Sequence, residues 1–195
     1  RKGAHTHGRT ARRSWRRDGS VMTARRVILG LLFVSLGVAT TAFLAACTTL
    51  SALAPIKPPL KSSFDSAMVA KGAQLAAIGN CNVCHTASGG KPYAGGRPLK
   101  TPFGTIYGTN ITPDPESGIG RWSEAAFSRA MREGVDREGR HLYPAFPYDH
   151  FTKVTDEDIK ALYAFVMTRD PVRAEAPPNE LPFPFNIRSL IGAWK

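Results

Sequence analysis

Residues 81–85 read Cys81-Asn82-Val83-Cys84-His85, and the rest of the chain is best read outward from them. One turn of helix sets two thiols at the separation of the two vinyl groups of a porphyrin. The histidine that follows points its imidazole at the iron from the same side, as the proximal ligand. The pattern therefore predicts one haem c, attached covalently through Cys81 and Cys84 and ligated by His85. Three other readings compete. A zinc site needs a second Cys/His pair at ligand spacing, and no cysteine follows residue 84. A thioredoxin-type site sits after a strand in a βαβ pattern, whereas the flanks here read as helix and glycine-rich loop. A disulfide between Cys81 and Cys84 in an oxidising compartment would make the chain a structural or sensor lipoprotein.

The flanks define a fold class. Asp65 to Ile78 has helical character with Asp65 or Ser66 as its cap, and Met68, Leu75 and Ile78 fall near one face around Gly72. A glycine inside a helix lowers its stability but lets another helix approach closely. Gly89–Gly108 is rich in Gly and Pro and reads as loop. Ser123 to Glu133 predicts a second helix, capped by Ser123, with Phe127 and Met131 on its buried stripe and Gly134 at its end. Thr155 to Thr168 predicts the last helix, opened by a capping-box-like Thr155-Asp156-Glu157-Asp158 and carrying Ile159, Leu162, Phe165 and Val166 at helical spacing. No stretch alternates persistently enough for a sheet. The expectation is an all-α domain with long loops around one covalent haem, spanning 64–175, with an extended segment over 176–195.

Upstream, the chain opens on Arg1, and Met22 is a plausible start, so residues 1–21 are set aside from fold reasoning. Residues 22–54 read as signal or membrane anchor: Arg25-Arg26 precede an apolar run from Val27 to Ala46. Such a run of about 20 residues can span a bilayer uncut. Leu44-Ala45-Ala46-Cys47 alternatively resembles a lipobox, with a lipid on Cys47. Either route places the domain on the outer, periplasmic face of the cytoplasmic membrane, because the arginines stay inside. Residues 55–63, with Pro55, Pro58 and Pro59, read as a stiff linker. The formal charge of +11 belongs mostly to the leader: residues 1–26 carry a net +8 and residues 27–195 only +3. A nucleic-acid partner would need a basic face on the folded part, and none is evident.

Several longer stretches carry a resemblance. They are Gly89-Gly90-Lys91-Pro92-Tyr93-Ala94-Gly95-Gly96, Thr101-Pro102-Phe103-Gly104-Thr105-Ile106-Tyr107, Thr109-Asn110-Ile111-Thr112-Pro113-Asp114, Gly118-Ile119-Gly120-Arg121-Trp122-Ser123 and His141-Leu142-Tyr143-Pro144-Ala145. With the haem motif they make residues 71–194 resemble the cytochrome c subunits of bacterial membrane-bound dehydrogenases, among them those of alcohol and gluconate dehydrogenases and of molybdenum hydroxylases. The resemblance implies the class I cytochrome c fold, in which the helix holding Gly72 crosses the helix holding Leu162 and Phe165. It implies an electron-transfer subunit rather than a catalyst on its own. The implied partners are a dehydrogenase catalytic subunit (molybdenum hydroxylase, quinoprotein or flavoprotein), a quinone or terminal oxidase downstream, and the membrane. Relatives often carry three haem domains in tandem; this sequence has one such motif.

One departure bears on the iron. The family's usual Tyr-Pro-Ala-Met-Pro-Tyr, whose Met is the distal ligand, reads Tyr143-Pro144-Ala145-Phe146-Pro147-Tyr148 here. His150, four residues on, is the leading replacement and would give bis-His ligation at a lower potential than His/Met. His141, Met131 and Met167 follow as candidates. An open sixth site, able to take a small ligand or support haem enzyme chemistry, is the alternative. Arg97, Tyr107, Asn110 and Trp122 are expected in loops around the propionate edge.

Overall fold

In a computed structural model of the full chain, the described residues are 28–31 and 51–194. Residues 28–31 are helical; the rest of the apolar run 27–46, and Cys47, lie outside the described residues. Among those described, no helix is long and apolar enough to cross a membrane.

The folded unit is built on four helices: α1 (Ser66–Ile78), the single turn α2 (Cys81–Cys84), α3 (Glu124–Glu133) and α4 (Asp156–Met167). A short α5 (Ile191–Trp194) follows, and 3-10 turns lie at Lys61–Ser63, Tyr148–Phe151 and Arg188–Leu190. The capping residues act as expected. Asp65 Oδ1 accepts from the Met68 N–H at 3.0 Å, Ser123 Oγ from the Ala126 N–H at 3.2 Å, and Thr155 Oγ1 from the Asp158 N–H at 3.1 Å. Each satisfies one of the donors a helix start leaves unpaired. Gly134, at φ 58°, ends α3 in the left-handed region, where glycine carries no Cβ penalty.

α1 crosses α4 at Gly72. A Cβ there would lie 1.9 Å from the Ala161 carbonyl oxygen and 2.7 Å from Phe165 Cβ, so the helix backbones touch where the side chain is missing. Around this crossing Ala76, Phe127, Met131, Ile159, Leu162, Phe165, Val166 and Met167 form one buried cluster. Residues 51–57, where the expected anchor (22–54) meets the expected linker (55–63), are bonded to the domain. The Leu53 N–H donates to Arg137 O at 2.8 Å and the Ile56 N–H to Arg121 O at 3.0 Å, while Arg129 Nη1 donates to Ser51 O at 2.8 Å.

The expectation of a purely helical domain is corrected by a two-stranded antiparallel hairpin, β1 (Pro98–Thr101) and β2 (Gly104–Tyr107), paired from Pro98↔Tyr107 to Thr101↔Gly104. Thr101 closes the turn: its hydroxyl accepts from the Phe103 N–H at 3.1 Å and donates to Gly104 O at 2.8 Å. Gly104, at φ 119°, adopts a conformation that L side chains avoid. The C-terminal segment extends the hairpin, with Thr105 and Glu180 exchanging N–H···O bonds of 3.0 and 2.9 Å.

Candidate haem-attachment site

The attachment turn is shaped by its own backbone and held by two loops. Asn80 enters α2 in the left-handed region at φ 52°, reversing the chain after α1. The His85 N–H then closes the turn on Cys81 O at 3.1 Å. Both thiols are free and half-buried. Burial pushes the Cys81 thiol above its ordinary pKa, so it is held as the neutral thiol. From one side the 86–96 loop grips the turn. The Gly95 N–H donates to His85 O at 2.8 Å, the Ala87 N–H to Gly95 O at 3.1 Å, and Thr86 Oγ1 bonds to Asn82 Oδ1 at 2.5 Å while accepting the Tyr93 N–H.

From the other side come the residues after β2. Gly108 lies against the turn so closely that a Cβ would sit 1.9 Å from Cys84 O. This bare backbone brings the next carbonyl, Thr109 O, to 2.7 Å from His85 Nδ1. A carbonyl only accepts, so Nδ1 carries the proton and Nε2 keeps its lone pair. Burial depresses the imidazole pKa, with the Thr109 bond opposing it, so the ring is held neutral. A neutral imidazole of fixed tautomer with a free Nε2, next to two thiols on one helical turn, is the donor set a haem c requires. The close backbone approach at Gly108 holds this arrangement in place, and the residues fit the group.

The loop 141–151 is built differently. Phe146 stacks on Phe151, centroids 5.6 Å apart and planes 15° from parallel, and both pack on the core beside Cys81. Phe151 Cε1 and Cys81 Sγ flank the same point at Gly79: a Cβ added there would lie 3.7 Å from the first and 3.6 Å from the second. In a 3-10 turn, residues three apart share a face; here Tyr148 and Phe151 are half-buried and His150 is on the outside. The His150 side chain is 76% exposed, with Nε2 3.7 Å from Asp149 Oδ2. The structure thus does not bury His150 beside the attachment turn. His141 is half-buried and bridges to Val135, and Met131 and Met167 are committed to the core. An apolar cavity of about 200 Å³ lies between the hairpin, residues 143–145 and α5, with Phe103, Ile106, Tyr143, Phe185 and Trp194 in its walls; Cys81, Cys84 and His85 do not line it.

Two of the four residues expected at the propionate edge, Asn110 and Tyr107, have their side chains bonded elsewhere. Asn110 is 4% exposed and bonds to Val172, Ala174, Ser117 and Thr112. Tyr107 donates its hydroxyl to Glu180 at 2.9 Å, the Trp122 carbonyl accepts from the Tyr163 hydroxyl at 2.8 Å, and Arg97 is exposed. Thr109 is not among the residues the sequence marks for the site. It acts through its carbonyl, which every residue type possesses, and only its place after Gly108 distinguishes it.

Comparison with known proteins agrees with this geometry. Residues 69–170 match the family described as Cytochrome c. The chain is 61% identical to one of the subunits of the nicotinate dehydrogenase of Pseudomonas putida over 142 residues, 73% of this chain and 12% of that protein. It is 48% identical to the cytochrome c subunit of the quinone-type alcohol dehydrogenase of Gluconacetobacter polyoxogenes, over 67% of this chain and 28% of that one. With the fructose dehydrogenase cytochrome subunit of Gluconobacter japonicus it shares 45% over 70% of this chain and 29% of the relative. The chain thus spans less than a third of each of these relatives.

Proposed function

The chain belongs to the cytochrome c family, and from that premise we propose that it carries one haem c on Cys81, Cys84 and His85 and is the electron-transfer part of a dehydrogenase complex. The observation that carries this reading is the 2.7 Å bond from His85 Nδ1 to Thr109 O beside two free thiols. When bound, haem c supplies a one-electron iron couple. The protein's part is to present the Cys81 and Cys84 sulfurs for thioether formation and to hold His85 in the ligating tautomer. Phe146 and Phe151 pack on the core beside Cys81 and supply apolar surface next to the attachment turn. The relatives named for nicotinate, alcohol and fructose dehydrogenases support a dehydrogenase catalytic subunit as electron donor. The donor class (molybdenum hydroxylase, quinoprotein or flavoprotein) and a quinone or terminal oxidase as acceptor belong to the proposal. So does its location on the periplasmic face of the membrane, anchored by an N-terminal helix or a lipid on Cys47, which the apolar run 27–46 supports.

The test is a pyridine haemochrome assay on protein exported by cells that make c-type cytochromes, after denaturation and extraction of loose haem. One covalent haem per chain is expected, reducible by dithionite and reoxidised by a quinone or oxidase fraction. The double substitution Cys81→Ala/Cys84→Ala abolishes covalent retention. A wild-type chain that emerges colourless, or a double variant that stays red, would refute the assignment.

A further inference from the structure

We propose that Asn110 is a positioning residue for His85, setting the strength of its bond to the iron through a buried side-chain amide on the residue that follows the accepting carbonyl of Thr109. The inference rests on the haem reading above and goes beyond it. Thr109 O, the acceptor for His85 Nδ1, belongs to the peptide group whose nitrogen is that of Asn110. The Asn110 side chain is 4% exposed, and its bonds fix its orientation. Nδ2 faces the Val172 carbonyl at 2.7 Å, the Ala174 carbonyl at 3.1 Å and Ser117 Oγ at 3.1 Å. Oδ1 accepts the Thr112 N–H at 2.9 Å and the Thr112 hydroxyl at 2.8 Å. Exchanging the amide N and O would set an oxygen against two carbonyls, so only one orientation satisfies the network.

The other flank of Thr109 is tied as well: the Gly96 N–H donates to Gly108 O at 2.8 Å and the Gly108 N–H to Arg97 O at 2.9 Å. Thr109 O is therefore pinned between a backbone clamp and the Asn110 hub, which itself is anchored to the segment leaving α4. A well-placed acceptor on a ligating histidine raises the basicity of the ring. A more basic ligand stabilises the ferric state and lowers the potential. Loosening the hub lets Thr109 O retreat, weakens the bond and raises the potential.

The experiment uses the full chain with its haem attached, comparing wild type with Asn110→Ala, Ser117→Ala and a remote control, Ile159→Val in α4. Measured quantities are the midpoint potential, the iron–histidine stretching frequency in the ferrous state by resonance Raman, and the melting temperature. Asn110→Ala is expected to raise the potential and lower the stretching frequency. Ser117→Ala should move both the same way by less, and Ile159→Val should lower the melting temperature alone. If Asn110→Ala does not load haem, Ser117→Ala carries the test. A loaded Asn110→Ala, or failing that Ser117→Ala, that melts earlier with unchanged potential and stretching frequency would overturn the proposal. A wild-type chain without haem would instead overturn the reading beneath it.

Discussion

Two of the regions packed around the attachment turn are held by different forces. The side of Gly108, Thr109 and Asn110 is a lattice of directed backbone and amide bonds ending on His85 Nδ1. The side of residues 146–151 is closed by two stacked rings and a single 3-10 turn. Directed bonds fix an atom to within tenths of an ångström, since they weaken steeply with angle and distance. Aromatic contacts contribute comparable free energy but tolerate sliding. The contrast teaches that this protein sets His85 by geometry and the wall beside Cys81 by bulk.

The strongest way to break the specified side is Gly108→Ala. The new Cβ would meet Cys84 O at 1.9 Å and Cys84 C at 3.0 Å, and this is backbone that cannot swing aside. Overpacking of this kind costs about 1–3 kcal/mol and sometimes more. The variant should show a large drop in melting temperature together with poor haem loading, read by calorimetry and by the haem-to-protein absorbance ratio. Normal loading with an unchanged melting temperature would contradict the close approach.

On the bulk side, Phe146→Ala should be milder. The ring is half-buried, so the loss is a fraction of the roughly 3–5 kcal/mol of a fully buried Phe→Ala, about 1–2 kcal/mol including the stacking contribution. Phe146→Leu should restore most of it, because bulk rather than direction is what the position supplies. Urea denaturation of the three proteins decides this; a Leu variant no better than Ala would mean that the stacking geometry matters.

The contrast between the sides also accounts for what is legible in the sequence. Helix caps are, because Asp65, Ser123, Thr155 and Gly134 announce themselves by side-chain chemistry, and their bonds appear where the sequence places them. Gly72 marks the α1–α4 crossing for the same reason. The thiols and His85 are legible because their chemistry has few other uses at that spacing. Thr109 is not, since a carbonyl leaves no trace in residue identity. The hairpin escapes a reading by pattern because four-residue strands containing Pro98 and Gly104 alternate too briefly to register, and Glu180, which extends it, lies far along the chain. Asn110 stands out as polar but suggests the wrong neighbours: nothing local tells that residues 172–174 return to it.

A smaller effect belongs to the specified side and depends on pH. Asp114 Oδ1 accepts from the Ser117 N–H at 2.7 Å, the Ser117 hydroxyl at 2.8 Å and the Glu116 N–H at 3.1 Å. The Ser117 backbone bond is the largest cause holding its carboxyl below the usual range, with the hydroxyl, Glu116 and Arg173 adding to it against the opposing effect of burial. A folded-state pKa below the unfolded value of about 3.9 means that the carboxylate stabilises the fold fully above that value. The contribution is lost as pH falls through the depressed folded pKa. Asp114→Asn should therefore be less stable than wild type near neutrality, with the gap closing in acid. Melting curves from about pH 7 down to about pH 3 test this; a gap that stays constant would show that the charge plays no part.

The smallest expected effect is also the sharpest discriminator between the two sides. His85 and His150 are both histidines near the attachment turn, yet one is tied by a 2.7 Å bond to a pinned carbonyl and the other is 76% exposed beside Asp149. Bringing His150 inward would require turning the 148–151 helix so that Phe151 leaves its contact with Phe146 and Tyr148 leaves Gly134, against which its ring is packed. An imidazole gains an iron bond only if that bond outweighs the loss of both contacts. With the turn in its present setting, His150→Ala should leave the oxidised and reduced absorption spectra, the midpoint potential and carbon monoxide binding as they are in wild type. A switch from low-spin to high-spin absorption, or a gain of carbon monoxide binding in the variant, would mean that the 148–151 turn rotates on haem loading and that the wall of bulk gives way to a second histidine.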